Sequence, residues 1–172
     1  MMKKVIIIGC PGSGKSTFAR ALHEVTHLPV VQLDLLFWNA DKTSVTREVF
    51  VQRLDEAMGQ ECWIMDGNFS FTMEKRMAAC DTVFFLDYPV DVCLDGVKSR
   101  RGQPRPDMPW IETGDTPDYD EFLAFIRSFE KERRPQVMNL LAKYSEKAVY
   151  HFTSREQARD FLNEIRNNWE ER

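Results

Sequence analysis

Residues 5–22 read VIIIGCPGSGKSTFARAL, and the meaning of this stretch decides the fold. Val5-Ile6-Ile7-Ile8 shows no polar alternation, the pattern of a strand covered on both faces. Beyond the glycines, Phe18, Ala19, Leu22 and Val25 recur at a helical period. Between the two lie three glycines and a proline within six residues. Gly9-Cys10-Pro11-Gly12-Ser13-Gly14-Lys15-Ser16 satisfies G-x-x-x-x-G-K-[ST] in full. A glycine-rich turn from strand to helix lets successive N–H groups converge on an anion, and the helix N-terminus adds its dipole. The pattern predicts a cradle for a nucleoside triphosphate built from Gly9, Gly12, Ser13, Gly14 and Thr17. Lys15 is expected at the β- and γ-phosphates and the Ser16 hydroxyl on Mg²⁺.

Working outward, Val30 to Asp34, Cys62 to Asp66 and Thr82 to Asp87 read as further strands, each closing on an aspartate. Ala148 to Phe152 reads as a fifth. Helical patterns lie between them. Thr46 is a plausible N-cap for the face Val49, Phe50, Leu54, Ala57 and Met58, which Gly59 stops. A helix from about Asp118 carries Phe122, Phe125, Ile126 and Phe129, and Pro135 kinks or divides it. Ser154 caps a last helix with Ala158, Phe161, Leu162, Ile165 and Trp169 on its face. Strands alternating with helices predict a three-layer α/β domain with a parallel sheet. Ligands of such sheets sit at the carboxyl ends of the strands, where the three aspartates fall.

The chain has 172 residues, which fits one domain. Its 43% apolar and 29% charged residues are the mixture of a globular protein, and a net charge of −4 argues against general nucleic-acid binding. Cys10, Cys62, Cys80 and Cys93 form no CxxC pair and read as reduced thiols. The apolar run at the N-terminus is too short for a signal peptide or a membrane span, so the cytoplasm is expected. His23, His27 and His151 lack metal-ligand spacing, and His151 reads as a satisfied core residue.

Two segments break the rhythm. Residues 35–45, LLFWNADKTSV, hold Phe37 and Trp38, which either line a pocket or fold inward as satellite core. Residues 99–117 hold four of the eight prolines and Arg100, Arg101 and Arg105. The segment reads as a cover whose guanidinium groups stabilise charge on a moving phosphoryl group, or else as a solvated basic loop. Arg133 and Arg134 are either further phosphate contacts or a solvated face, and Arg20 either supports the loop or lies on the helix surface.

GCPGSGKSTFAR, the LD ending at Asp34, WIMDGN at 63–68, FFLD at 84–87 and SRRGQPRPD at 99–107 together resemble the adenylate-kinase-like small kinases. Within them the chain is most similar to the bacterial DNA topology modulation or FlaR-related proteins. The resemblance spans nearly the whole chain. It implies a P-loop fold of the adenylate and shikimate kinase kind, with five parallel strands ordered 2-3-1-4-5. It also implies an acceptor-side insertion at about 35–58 and an arginine-bearing lid at about 99–117. Asp66 would hold Mg²⁺ through water. Where such kinases continue with aromatic-Pro-Arg, this chain has Asn68-Phe69-Ser70, which weakens the case for a nucleoside monophosphate acceptor. Asp34 would orient an acceptor hydroxyl or take its proton, or else merely cap a turn. Arg155 falls near the place where related kinases pack the purine.

The expectation is therefore a monomer or weak homodimer that uses ATP and Mg²⁺ to phosphorylate a small molecule, with neither nucleic acid nor membrane as partner. The alternatives are a nucleoside monophosphate kinase and a nucleotide-dependent regulatory or DNA-associated protein. A guanine-reading N-K-x-D element is absent from the sequence.

Overall fold

The computed structural model describes residues 2–114 and 117–170, with side chains to 168. The expectation for Trp169 concerns a side chain outside that set. Strand β1 (Lys4–Gly9) leads through the glycine-rich loop into α1 (Lys15–Thr26). Then follow β2 (Val30–Gln32), α2 (Leu33–Phe37), α3 (Arg47–Met58), β3 (Trp63–Asp66) and α4 (Ser70–Ala79). The chain continues with β4 (Thr82–Leu86), α5 (Val90–Lys98), α6 (Pro117–Glu132), α7 (Arg134–Lys143), β5 (Ala148–Phe152) and α8 (Arg155–Glu170). The five strands are all parallel, in the order β2-β3-β1-β4-β5. Every strand therefore delivers its carboxyl end to one edge.

The unbroken apolar run at Val5–Ile8 makes β1 the centre of this sheet, and all four residues are completely buried. Their alternation divides the core. Val5 and Ile7 face Phe18, Leu22, Cys93, Ile126 and Ala158, while Ile6 and Ile8 face Leu33, Phe50, Leu54, Met73 and Val137. Each large apolar side chain so buried stabilises the fold by roughly 1.5–3 kcal/mol. The expected Thr46 cap is present, its Oγ1 accepting from the Val49 N–H at 3.3 Å.

Two expectations shift, and one stated as two alternatives is resolved. The second strand stops at Gln32, so Asp34 lies in the first turn of the short helix α2 rather than at a strand end. Pro135 divides rather than kinks: α6 and α7 are separate helices, and the proline occupies the first turn of α7, where no intrahelical N–H is needed. His151 is exposed on the edge strand β5, stacked on Phe85.

The loop is fixed from behind by close approach of α5. Gly12 has φ 87°, and a Cβ there would overlap the Cys93 carbonyl and meet Val97 Cγ2 at 3.0 Å. Gly14 has φ 91° but open space around it. Gly12→Ala is therefore expected to lose more stability than Gly14→Ala in urea unfolding. The backbone term, on the order of 1–3 kcal/mol, is common to both, and the clash falls on Gly12 alone.

Candidate active site

The loop between β1 and α1 is closed by the Ser13 N–H donating to the Cys10 carbonyl at 3.1 Å. Gly14 caps α1 in the left-handed region with no side-chain hydrogen bond, and the first amides of a helix have no intrahelical partner. Lys15 arches back over the loop, its Nζ donating to the carbonyls of Gly9 at 3.0 Å and Cys10 at 3.2 Å. Asn68, in the turn between β3 and α4, clamps the loop. Its carboxamide accepts from the Gly9 N–H at 3.1 Å and donates to the Gly9 carbonyl at 2.7 Å.

The turn that presents Asn68 depends on Arg76, which is wholly buried in α4. Its guanidinium donates to the Gly67 carbonyl at 3.0 Å, to the Asn68 carbonyl and to Thr72 Oγ1 at 3.3 Å. Burial brings its pKa down to about 10, so it remains a cation held by carbonyl dipoles. These bonds stabilise a backbone in which Phe69 adopts φ 38°.

Three carboxylates approach the loop. Asp34 comes from α2, Asp66 from the end of β3 and Asp107 from the segment after α5. Asp66 is 5% exposed, and its Oδ1 is closed off from solvent without a hydrogen-bond partner. Burial pushes its carboxyl up, with Lys15 opposing. Asp34 is pushed up to about 6 by burial, again with Lys15 opposing and Asp66 and Asp107 adding to the rise. Lys15 is drawn below the usual lysine range by its own burial, which outweighs the pull of Asp66 and Asp34. Asp107 differs. Burial raises its carboxyl, but the Arg105 hydrogen bond and charge and the Ser16 hydroxyl outweigh this and hold it below the ordinary value.

Asp107 accepts from Ser16 Oγ at 3.1 Å and from Arg105 Nε at 3.3 Å, and forms an ion pair with Arg20 at 3.8 Å. It thus latches the 99–114 segment to the start of α1. Sequence reasoning singled out the arginines of SRRGQPRPD and gave its aspartate no role. An acid beside Pro106 in a loop has no periodicity to show where it folds. Asn68 was visible only as a departure from a motif, and Arg76 gave no signal beyond a charge on a helix.

A cavity of about 650 Å³ opens against the loop, reached by Arg100, Arg105, Arg20 and Arg155. Arg100 has a buried Nε without a hydrogen bond, and burial together with neighbouring Arg105 depresses its pKa. Arg155 donates to the Val92 carbonyl at 3.3 Å and lines the cavity together with Gly96, Ala158 and Leu162. Arg101 lies elsewhere: it donates to the Thr113 carbonyl and sits 5.9 Å from the Tyr119 ring, bracing the segment internally. Arg134 is held by Asp87, with its Nε 2.9 Å from both carboxylate oxygens, and His151 Nε2 is 2.7 Å from Asp87 Oδ2. Phe37 packs edge-on against Phe50 and Phe69 as satellite core, whereas Trp38 meets Trp110 across the 99–114 segment.

The donor set at Ser16 and Asp66 fits a hard divalent cation. The unpartnered Asp66 oxygen is an acceptor with no donor, and Mg²⁺ characteristically takes one or two protein oxygens and completes its shell with phosphate and water. Among the described residues no cluster of three His, Cys, Asp or Glu could hold a metal unaided, and no helix is long and apolar enough to cross a membrane.

No known family model matches the chain, and no curated protein does. Among solved structures it is similar to shikimate kinase from Acinetobacter baumannii in complex with shikimate, at TM-score 0.60 and 20% identity, covering 96% of this chain and 91% of that one. It is also similar to shikimate kinase from Bacteroides thetaiotaomicron, at TM-score 0.58 and 18% identity over 99% of both chains. The fold is thus a three-layer P-loop NTPase fold with the five-stranded parallel sheet of the adenylate and shikimate kinases.

Asp107→Ala removes the latch and leaves Arg105 without its carboxylate. Stability at pH 7 is expected to fall by about 1–3 kcal/mol. Because the Asp107 pKa is depressed in the folded state, its contribution is present above the ordinary carboxylate value and is lost as pH falls through the lower folded one. Thermal melts of the two proteins should therefore converge towards acid pH, and a gap independent of pH would contradict the latch.

Proposed function

We propose that this chain is a Mg-ATP-dependent phosphotransferase that moves the γ-phosphoryl group to a hydroxyl of a small acceptor. One observation carries the reading. The Asp34 and Asp66 carboxylates converge on Lys15 of the glycine-rich loop, and burial there pushes the Asp34 carboxyl up to about 6. A base poised near neutrality is what proton removal from an alcohol requires. The loop amides and Lys15 hold the triphosphate, and Ser16 with Asp66 would hold Mg²⁺, which neutralises phosphate charge when bound. Arg100 and Arg105 line the cavity, where they would stabilise charge on the equatorial oxygens. Gly12, Ser13, Thr17 and Arg155 all line that cavity, which would hold the triphosphate and its base.

Asn68 bears on the monophosphate kinase alternative. In the stretch where such kinases carry aromatic-Pro-Arg, Ser70 stands at the arginine's place and Asn68, two residues earlier, is engaged with Gly9 through a neutral carboxamide. This favours a hydroxyl acceptor over a nucleoside monophosphate. The resemblance to topology modulation proteins has no support from the solved structures above, and no feature of the site favours direct DNA contact.

Lys15→Ala is expected to lower acceptor-dependent ADP release by about 10²–10³-fold with the fold retained, measured across nucleosides, sugars, other small alcohols and nucleoside monophosphates. Turnover that is unchanged, or confined to monophosphates, would overturn the reading. A second expectation concerns pH. kcat/KM should rise with a limb near pH 6 as Asp34 ionises, and Asp34→Asn should abolish both the limb and most of the activity. The stability sign is opposite to that of Asp107. A carboxyl raised in the folded state favours folding most when protonated, and this contribution is lost as pH rises from about 4 through about 6. Asp34→Asn should therefore melt at a higher temperature than the parent protein at pH 8.

A further inference from the structure

Ser16 and Arg105, the groups suited to Mg²⁺ and to phosphate, are both engaged by one carboxylate of the chain itself. Asp107 is 4% exposed. Its Oδ2 accepts from Ser16 Oγ at 3.1 Å and from Arg105 Nη2. Its Oδ1 accepts from Arg105 Nε at 3.3 Å and lies 3.8 Å from Arg20 Nη1. Arg105 thus grips the carboxylate with both prongs of its planar fork, the geometry by which guanidinium groups also hold phosphate. Ser16, Arg20, Arg105 and Asp107 all line the large cavity beside Gly12, Ser13 and Gly14. The contact therefore lies inside the space that the loop opens onto. A hydroxyl and two guanidinium groups around a planar anion suit a phosphate group as well as they suit Asp107.

The same environment makes Asp107 a poor ligand for a cation, because an arginine approaches each of its oxygens. Asp66 differs. Its Oδ1 has no partner, and burial raises its carboxyl while Lys15 and the Ser16 hydroxyl oppose the rise. Ser16 has one proton to donate, and Asp107 receives it. Arg100, which lines the same cavity, keeps a buried Nε without an acceptor. The segment that carries Asp107 is tied at its base by the Gly102 N–H donating to the Glu112 carbonyl at 2.7 Å and by Arg101 donating to the Thr113 carbonyl. It has a second anchor at Trp110, edge-on to Trp38 with ring centroids 5.6 Å apart.

Building on the phosphotransferase reading, we propose that Asp107 is a built-in competitor for nucleotide phosphate: its carboxylate holds Ser16, Arg105 and Arg20 until the phosphates displace it. Displacement exchanges one anion for another at Arg105, so that guanidinium is never left buried and unpaired. It also frees the Ser16 hydroxyl to turn towards Asp66 and brings Arg105 to the phosphate beside Arg100. A ligand that binds only the unlatched form loses apparent affinity in proportion to the latched fraction. Asp107 therefore weakens nucleotide binding while it stabilises the fold.

The test is isothermal titration calorimetry of the full chain with ADP and with adenosine, each with and without Mg²⁺. Asp107→Asn keeps the size of the side chain and removes its charge. It should bind ADP about ten-fold more tightly in both conditions, the gain expected if about nine molecules in ten are latched. Adenosine, which has no phosphate, should show no gain. ADP affinity that is unchanged or weaker overturns the proposal, and a loss confined to Mg²⁺ does so by making Asp107 a metal ligand. An equal gain for adenosine also overturns it, since the cavity has then merely loosened. Asp107→Ser carries the same expectations if the asparagine variant does not fold. Loss of any nearby negative charge helps an anion bind, so crystals of the wild-type protein with Mg²⁺ and ADP give the independent measurement. Asp107 should have left Ser16 Oγ, with Arg105 on a phosphate oxygen. Nucleotide bound at the loop with Asp107 still on Ser16 sinks the competitor and leaves the phosphotransferase reading standing. No nucleotide binding by the wild type or either variant sinks both.

Discussion

The structure depends on keeping charge half out of water at one edge of a sheet. Lys15, Asp34 and Asp66 each lose solvation there, and each is displaced from its ordinary ionisation in the direction burial dictates. The attraction of Lys15 for the two carboxylates offsets part of that cost without cancelling it, while the carboxylates repel each other. Such an arrangement is poor for stability and suited to a site, because groups with displaced ionisation are those able to bind ions or exchange protons near neutral pH. The sheet makes the arrangement affordable to the fold. Val5 to Ile8 are sealed on both faces, which anchors the strand that ends at Gly9.

Five arginines illustrate how environment assigns different work to one residue type. Arg76 is buried among carbonyls and shapes the turn that carries Asn68. Arg105 and Arg20 meet Asp107 and fasten the 99–114 segment. Arg134 is bound to Asp87. Arg133, one residue earlier, faces an aromatic cavity with its Nε unmatched. Charge counts along the sequence distinguish none of these, since what separates them is the distance to a carboxylate from another element.

The legible part of the fold was the part governed by local pattern. The run at 5–8, the glycine spacing, the Thr46 cap and the alternation of strands and helices all report short-range chemistry. The sequence marks Asp34 as a site residue but reads as a strand end there, because a turn of helix following a three-residue strand is too short to show a period. Arg101 is indistinguishable in sequence from Arg100 and Arg105, which share its segment, yet its Nε donates to the Thr113 carbonyl. Asp107 and Arg76 were not visible as contributors because their partners are distant in sequence, Ser16 for the first and the Gly67–Phe69 turn for the second. Long-range polar pairing leaves no mark on hydrophobic periodicity.

The central claim is that the loop, Lys15 and Asp34 surround one phosphoryl group. The most direct measurement is a crystal structure of the protein with Mg²⁺ and a non-hydrolysable ATP analogue. The triphosphate should follow the amides from Gly12 to Ser16, with the γ-phosphate between Lys15 Nζ and the Asp34 carboxylate. Analogue bound away from the loop, or a γ-phosphate turned from Asp34 towards solvent, would contradict the account.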